Sequence, residues 1–174
     1  RSAQFYTRRR LSRDPETSPD SPSKSQLNGR PCIESILRFD FMRNDSKLLV
    51  LTVGGTIDKV YFDASSEYEV GEPTVPHIFQ VAGVTLDYSL VPLMRKDSLE
   101  MNEDDRVKIR ATCEQAEETT ILITHGTDTM SETAEALEGI RGKTIVLTGA
   151  MAPARFRETD AVFNIGCATG AAQS

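Results

Sequence analysis

Three short apolar runs, each followed directly by glycine or by a His-Gly-Thr turn, most constrain how this chain can fold. The runs are Leu48–Val53, Ile121–Thr124 and Thr144–Thr148, and the residues after them are Gly54-Gly55-Thr56, His125-Gly126-Thr127 and Gly149-Ala150. Continuous apolar runs of this length are typical of strands that are buried on both faces of a sheet. Because helical patterns separate the strands, the sequence predicts an α/β domain with a mainly parallel sheet.

The predicted helices lie between and after these runs. A glycine predicts the end of the first helix, and acidic residues after a capping asparagine predict the start of the second. A capping box from Thr129 to Glu132 predicts the start of the third. The predicted helices are Pro76–Ala82 before Gly83, a segment capped by Asn102, Thr129 to about Ile140 before Gly142, and Asp160–Ala172. A further strand is predicted at Val84–Leu93, and residues 54–71 are predicted to form a long polar loop.

The ends of the parallel strands are where a binding site is expected. In open α/β sheets, ligands bind beyond the carboxyl ends of the strands, so Thr56, Ser98 and Thr127-Asp128 should lie beside one crevice. Thr56 can be a catalytic hydroxyl or part of a simple turn. A phosphate loop is disfavoured, because the chain has neither G-K-[ST] after these glycines nor G-x-G-x-x-G. Asp128 can act in the site or serve only as a carboxylate at a helix start.

Other polar residues in these segments can have either a role in the site or a purely structural role. His125 lies at a strand end, where a general base and a structural imidazole are both possible. Ser98 can instead bond to local backbone. Tyr68 lies in the predicted long loop, where an exposed, inactive tyrosine is common, although long loops in compact domains are often functional. His77, in a predicted helix, is expected to be structural or exposed.

The charge distribution excludes one class of partner. The chain has 26 Asp and Glu against 20 Lys and Arg. Residues 42–174 contain 21 of those acids and only twelve basic residues, whereas residues 1–41 contain eight basic residues and five acids. A nucleic-acid partner is therefore not expected, since phosphate binding needs a basic face. A membrane span is not expected either, because no apolar run reaches about 18 residues.

The three cysteines point away from disulfides and from zinc. Cys32, Cys113 and Cys167 are odd in number, far apart and form no C-x-x-C pair. This usage favours a reducing compartment, with the cytoplasm as the default location. No metal cluster is apparent in the sequence.

The first 46 residues differ in composition from the rest. Residues 12–31 are dense in Ser, Pro, Asp and Arg without hydrophobic periodicity, which is typical of disorder. Acids at Asp14, Glu16 and Asp20 argue against a transit peptide. We therefore expect residues 1–46 to be a disordered or mis-called head and residues 47–174 to be the folded domain. If the head is mis-called, the true start is expected near Met42.

Three segments resemble a known family. Residues 52–57, TVGGTI, and 123–130, ITHGTDTM, resemble the two signatures of bacterial-type L-asparaginases, and residues 146–151, VLTGAM, resemble the strand that follows in that family. The resemblance covers residues 47–174. It implies the three-layer fold of the asparaginase amino-terminal domain, as in the short single-domain relatives.

The resemblance also implies an amidohydrolase that converts asparagine and water to aspartate and ammonia without a cofactor. Thr56 would attack the side-chain amide carbon with help from the lid residue Tyr68, and water positioned with Thr127 would hydrolyse the acyl-threonine. Ser98 would bind the substrate carboxylate and Asp128 its amino group. The implied catalytic residues are Thr56, Tyr68, Thr127 and Asp128, and the implied substrate-binding residues are Gly55, Ser98, Thr127 and Asp128.

The chain also departs from the family pattern. Relatives usually add a carboxy-terminal domain, share sites between subunits as homo-oligomers, and place a lysine beyond the last helix present here. Lys59, Lys96 and Lys143 do not match that position, and Leu99 replaces a polar contact. We therefore expect the domain to be truncated at its carboxy-terminal end. The alternative function is a catalytically weak asparagine- or aspartate-binding module, or an assembly partner that lacks part of the active site.

Overall fold

The computed structural model describes residues 6–8, 47–62 and 67–174. The chain divides into two compact units, residues 1–10 with 46–174, and residues 11–45. The second unit lies outside the described residues. The strands of the first unit are β1 (Tyr6–Arg8), β2 (Leu48–Gly54), β3 (Lys59–Phe62), β4 (Glu67–Val70), β5 (Tyr88–Lys96), β6 (Thr120–Thr124) and β7 (Thr144–Thr148). Its helices are α1 (Val75–Val81), α2 (Glu103–Gln115), α3 (Met130–Ala136) and α4 (Ala161–Gln173).

The main sheet has five strands in the order β1-β7-β6-β2-β5. The last four are parallel to their neighbours, and β1 joins β7 antiparallel. The chain passes from β2 to β5 on one side and then returns across β2 to β6 and β7 on the other. The direction of winding therefore reverses between β2 and β6, the position at which open α/β sheets bind ligands.

Two apolar layers cover the faces of this sheet. Alternate residues of the strands, such as Val50 and Leu122, pack with α1 and α4. The residues between them, such as Leu51 and Ile123, pack with α2 and α3. All four of these side chains are fully buried, and each such burial stabilises the fold by about 1.5–3 kcal/mol. The predicted α/β class, its mainly parallel sheet and its three layers are confirmed.

The prediction of a long loop at residues 54–71 is wrong. A 3-10 helix covers Thr56–Asp58, and β3 and β4 then form an antiparallel hairpin. Tyr61 and Tyr68 lie directly opposite each other across this hairpin, with ring centroids 5.4 Å apart. Such cross-strand aromatic pairs stabilise a hairpin by up to about 1 kcal/mol. Charged residues between the aromatics obscured the strands in the sequence.

The strand predicted at Val84–Leu93 is displaced toward the carboxyl end. Val84 closes the turn that follows α1, because its N–H donates to the carbonyl of Phe79 at 2.9 Å. The strand instead begins at Tyr88 and continues to Lys96, which pairs with Gly54 of β2 after an irregularity in the register. Tertiary pairing with β2 thus decides the bounds of β5.

The third predicted helix is shorter than expected, and its predicted capping box is absent. α3 ends at Ala136 rather than near Ile140, and Gly139 follows with a φ of 86°. The Arg110 guanidinium donates to the carbonyls of Ala136 and Glu138, which satisfies carbonyl groups at this helix end. The Thr129 hydroxyl caps nothing in α3, since it donates to the Ser98 carbonyl instead.

The remaining predicted elements are confirmed. α1 and α4 lie within one residue of their expected bounds. Asn102 caps α2 in a full capping box, in which Asn102 and Asp105 each accept from the other's backbone N–H at 3.1 Å. Strands β2, β6 and β7 lie at the three apolar runs.

The leading segment is described only at three residues. Tyr6, Thr7 and Arg8 pair with residues 147, 146 and 145 of β7. The free edge of β7 offers these three residues backbone partners, and the expectation for residues 1–46 as a whole stays a prediction. The disorder expected at residues 12–31 and the start near Met42 concern residues that lie outside the described part. Within the described part, no helix is long and apolar enough to cross a membrane.

Candidate functional site

The ends of β2 and β6 meet at the point where the winding of the sheet reverses. The Gly55 N–H donates to the Lys96 carbonyl at 3.0 Å, which joins the end of β2 to the end of β5. On the other side, a side chain at Gly55 would place its Cβ 2.4 Å from the Gly126 nitrogen. The backbones of Gly55 and Gly126 are thus in direct contact. Thr56 and Thr127 follow them on two adjoining chain segments.

Close backbone approach explains the glycines at this edge. Gly54 and Gly55 have φ values of 102° and 89°, which residues with a Cβ rarely adopt. A Cβ at Gly54 would lie 2.4 Å from the Lys96 carbonyl oxygen, and one at Gly126 would lie 2.4 Å from the Ser98 hydroxyl. These glycines lack the Cβ that would block such contacts. The structure shows them letting neighbouring chain segments approach each other.

Thr56 occupies the first position after this glycine pair. It begins the 3-10 helix Thr56–Asp58, and its side chain is half-buried. Within the described part of the chain, its hydroxyl forms no hydrogen bond to another residue. Neighbouring Ile57 is fully buried, and its carbonyl accepts from the Ala154 N–H at 3.0 Å. The hydroxyl is therefore held on an anchored backbone and is open to a reaction partner.

Ser98 and Asp128 come together from different elements. Ser98 begins a 3-10 helix after β5 and is only 1% exposed. Its hydroxyl donates to the Asp128 carboxylate at 3.4 Å, and its carbonyl accepts from the Thr129 hydroxyl at 2.9 Å. The structure therefore joins these two predicted site residues, although 30 positions separate them in sequence. Asp128 is exposed, so its carboxylate is accessible to a positively charged group of a ligand.

Thr127 lies between the two groups of contacts. It is half-buried, with Gly126 before it and the exposed Asp128 after it. Behind it lies Gly149 at the end of β7, where an added Cβ would come within 3.4 Å of the Thr127 methyl carbon. The ends of β2, β6 and β7 and the turn after β5 therefore meet at one edge of the sheet, which contains five of the predicted site residues. These are Gly55, Thr56, Ser98, Thr127 and Asp128.

Tyr68 packs against aromatic side chains of the hairpin and of the loop after β7. It is on β4, its side chain is 51% exposed, and its ring packs against Tyr61 and Phe156, with the Phe156 centroid 6.2 Å away. Among the described residues, no hydrogen bond joins the Tyr68 hydroxyl to Thr56. The structure thus places Tyr68 on the hairpin that follows Thr56 without bringing the two hydroxyls together.

His125 is a structural imidazole in this arrangement. It is fully buried, and burial lowers its pKa below the ordinary value, which favours the neutral ring. Its Nδ1 lies 2.7 Å from the Gly126 carbonyl and therefore donates, so Nε2 accepts from the Thr133 hydroxyl at 2.8 Å. Both nitrogens are thus occupied, and His125 is not placed to accept a proton from Thr56.

Two carboxylates that the sequence reasoning did not single out support the site. Asp58 is buried and accepts at 2.8 Å from both the backbone N–H and the hydroxyl of Thr74. Burial raises its pKa, although the Thr74 hydrogen bonds oppose that effect. Asp160 accepts from the N–H groups of Met151 and Ala152, which fixes the loop after β7. A carboxylate two residues after Thr56 was the only sequence signal for the first.

The lysines considered in the sequence lie elsewhere than beside Thr127 and Asp128. Lys59 pairs with Asp97 at 2.5 Å, and Lys96 pairs with Asp105 at 2.7 Å. Lys143 donates to the carbonyls of Ala116 and Glu118, close to the opposite end of the strands. Leu99, which follows Ser98, is 74% exposed. Across the described residues, no group of three or more His, Cys, Asp or Glu side chains could hold a metal ion.

A family model and a curated protein match this chain. The model of the family "Asparaginase, N-terminal" matches residues 47–174. A curated L-asparaginase from Thermococcus kodakarensis is 37% identical over 131 residues, and the match covers 68% of this chain and 38% of that protein.

Solved structures give the same result. The thermostable L-asparaginase from Thermococcus kodakarensis matches with a TM-score of 0.60 and 30% identity, covering 71% of this chain and 39% of that one. The probable cytoplasmic L-asparaginase from Campylobacter jejuni matches with a TM-score of 0.53 and 25% identity, covering 69% of this chain and 37% of that one. The present chain therefore spans about two fifths of the length of these relatives.

Proposed function

Because the chain belongs to the asparaginase family, whose amino-terminal domain corresponds to residues 47–174, we propose that it acts as an L-asparaginase-type amidohydrolase. The observation that carries this proposal is the junction of β2 and β6. There, Gly55, which precedes Thr56, is in backbone contact with Gly126. Gly126 in turn packs against Ser98, whose hydroxyl donates to Asp128. A nucleophile and groups that can bind an amino acid thus lie at one edge of the sheet.

In the proposed reaction, the Thr56 oxygen attacks the side-chain amide carbon of asparagine. The Thr56 proton passes to the leaving nitrogen, ammonia departs, and an ester joins Thr56 to the β-carboxyl group of the aspartyl product. Water positioned with Thr127 then hydrolyses the ester, which releases aspartate and restores the hydroxyl. Dividing the reaction into two displacements lowers each barrier, provided that the substrate is held in the attacking geometry.

Substrate binding in this proposal relies on opposite charges and on hydrogen-bond donors. The exposed Asp128 carboxylate would bind the α-ammonium group, and Ser98 would donate to the α-carboxylate. Ser98 already donates to Asp128 at 3.4 Å, which is long for a hydroxyl donor, so the hydroxyl can turn to a ligand at small cost. Gly55 would bring its backbone close to the bound amide.

Tyr68 would assist Thr56 only in the substrate complex. Its hydroxyl lies on an exposed hairpin and has no hydrogen bond to Thr56 among the described residues. Catalytic hydrogen bonds often form only once substrate is bound, so the absence of this bond does not exclude the role. The binding-module alternative is supported by the same absence, together with the ion pairs and hydrogen bonds that engage Lys59, Lys96 and Lys143 elsewhere.

An ammonia-release assay with asparagine and with glutamine tests the enzyme proposal. The purified chain should release ammonia, and Thr56→Ala should lower kcat at least about a thousandfold while aspartate binding, measured by calorimetry, changes little. Thr85→Ala, an exposed threonine outside the site, is the matched control and should retain full activity. If the unmodified chain binds aspartate but releases no ammonia, the enzyme proposal fails and the binding module is the better description.

Two properties of the family extend the proposal. We infer self-association, which is supported by the exposed Val162 and Phe163 side chains on α4, 49% and 70% exposed. Sedimentation of the purified chain as a monomer at all concentrations would contradict it.

A cytoplasmic location is supported by the name of the Campylobacter jejuni relative, and fractionation of the source cells would test it.

A further inference from the structure

Charged residues hold the turn that carries Ser98, and the proposed chemistry uses none of them. Three consecutive residues at the end of β5 each form an ion pair with a different segment of the chain. The pairs are Arg95 with Glu72 after the hairpin, Lys96 with Asp105 in the first turn of α2, and Asp97 with Lys59 on β3. Ion pairs therefore connect the residues immediately before Ser98 to three other segments of the chain.

The Lys59–Asp97 pair has the most direct connection to the site. The Lys59 ammonium lies 2.5 Å from one oxygen of Asp97, and the other oxygen accepts from the Leu99 N–H at 3.1 Å. Both paired side chains are about three quarters buried, with exposed fractions of 25% and 26%. Lys59 comes three residues after Thr56. The pair thus joins the segment that follows the nucleophile to the turn that carries Ser98.

This ion pair also stabilises the ionised form of Asp97. The hydrogen bond from Lys59 holds the pKa of the Asp97 carboxyl below its ordinary value, with a further contribution from the Leu99 N–H. Asp97 is therefore ionised at neutral pH, and its two oxygens remain divided between Lys59 and the turn backbone. Partly buried pairs such as this one are screened by solvent less than exposed pairs.

The Ser98 position has little tolerance for displacement. The Ser98 hydroxyl reaches Asp128 at 3.4 Å, so a shift of a few tenths of an ångström removes that contact. Against the turn lies Gly126, where even an added methyl group would overlap the Ser98 hydroxyl. The position of Ser98 relative to Asp128 therefore depends on how firmly the turn is held.

We propose that Lys59 is a positioning residue that acts through Asp97 to hold the Ser98 turn against Asp128, and that it thereby sets the affinity of the site for the charged groups of the amino-acid substrate. This inference rests on the proposed function for the identity of the ligand. Lys59 touches neither the substrate nor the reacting atoms in this scheme. Its loss should therefore raise KM and the dissociation constant of aspartate, while kcat stays nearly constant.

The experiment compares charge-removing variants of the full chain. Lys59→Met removes the charge but keeps a long apolar stem, and Asp97→Asn keeps the oxygen that accepts from Leu99. Each variant should raise KM for asparagine and the dissociation constant of aspartate about fivefold, with kcat within about twofold. The double variant should be no worse than either single variant, because both remove the same interaction. Lys59→Arg should recover most of the affinity.

Arg95→Met is the matched control. It removes an ion pair of the same turn whose side chains are 49% and 70% exposed, and it should change KM less than about twofold. Equal losses in Arg95→Met and Lys59→Met would overturn the proposal, and so would additive losses in the double variant. Either result would show that Lys59 and Asp97 do not act together on the site.

Amide hydrogen exchange separates failure of this inference from failure of the proposed function. In the ligand-free protein, Lys59→Met should speed exchange in residues 97–101 about fivefold and leave residues 120–124 of β6 unchanged. Unchanged exchange in the turn would refute the role of Lys59, whatever the chain binds. If the unmodified chain neither binds aspartate nor releases ammonia, the proposed function fails, and the exchange result alone decides whether Lys59 holds the turn.

Discussion

Replacing Gly55 with alanine should damage both the fold and the site, since this glycine lies where β2 meets β6. The new Cβ would lie 2.4 Å from the Gly126 nitrogen, 2.5 Å from its Cα and 2.9 Å from the His125 carbonyl carbon. All three are backbone atoms, so no side chain can rotate away. Relief requires the end of β2 to separate from the end of β6, which moves Thr56 away from Thr127.

Two costs combine in this variant. Gly55 has a φ of 89° and a ψ of −176°, a region that costs a residue with a Cβ about 1–3 kcal/mol. Overpacking in a tightly packed region costs about 1–3 kcal/mol more. Together they predict a loss of roughly 2–6 kcal/mol in the free energy of unfolding, out of a total of about 5–15 kcal/mol for an ordinary domain.

Urea unfolding followed by circular dichroism measures the loss, and ammonia release measures the site. Gly83→Ala is the matched control, because Gly83 also has a positive φ, 65°, but no atom lies within 4 Å of its added Cβ. It should lose only about 1–2 kcal/mol and keep its activity. If Gly55→Ala is as stable as Gly83→Ala, or retains activity within twofold, the close approach of the two strands does not constrain the site as argued.

Two further substitutions probe buried polar groups around the site. Burial raises the Asp58 pKa, so its contribution to stability is complete below its ordinary pKa near 3.8 and is lost as the pH rises through the raised value. Asp58→Asn should therefore gain stability relative to the native chain as the pH rises above that ordinary value in urea titrations; a parallel pH dependence would contradict this, and Asp58→Ala, which leaves Thr74 without its acceptor, is the control. Thr133→Val removes the hydroxyl that donates to the buried His125 and should cost about 1–3 kcal/mol at pH 7; a loss below about 0.5 kcal/mol would mean that the imidazole finds another donor.

The fold was predictable wherever a segment is buried on both faces. Strands β2, β6 and β7 are largely continuous apolar runs, so their positions follow from the sequence pattern. The hairpin of β3 and β4 was not predictable in this way. It is exposed, carries charges between its aromatic residues, and depends on the Tyr61–Tyr68 pair across the strands. Its strands are short, so local propensity gave little signal.

The candidate site was likewise predictable only in part. The edge that carries Thr56 and Thr127 followed from where the predicted strands end, since parallel strands place their carboxyl ends together. The Ser98–Asp128 contact and the Lys59–Asp97 pair join residues 30 and 38 positions apart. Such pairings depend on how β5 and the hairpin are placed against β6, which no local pattern records. The same applies to the Thr129 hydroxyl, whose predicted cap is replaced by a bond to the Ser98 carbonyl.

The sequence by itself determined the α/β class, the three buried strands and the family, because burial and a family signature are written in contiguous residues. Only the tertiary structure decided the strand order that places the reversal between β2 and β6, and with it the contact of Gly55 with Gly126. It also decided that the Tyr68 ring packs against Phe156 and that Lys59 reaches the turn of Ser98. The physical reason is that these contacts join distant segments, whose meeting depends on the packing of the whole sheet.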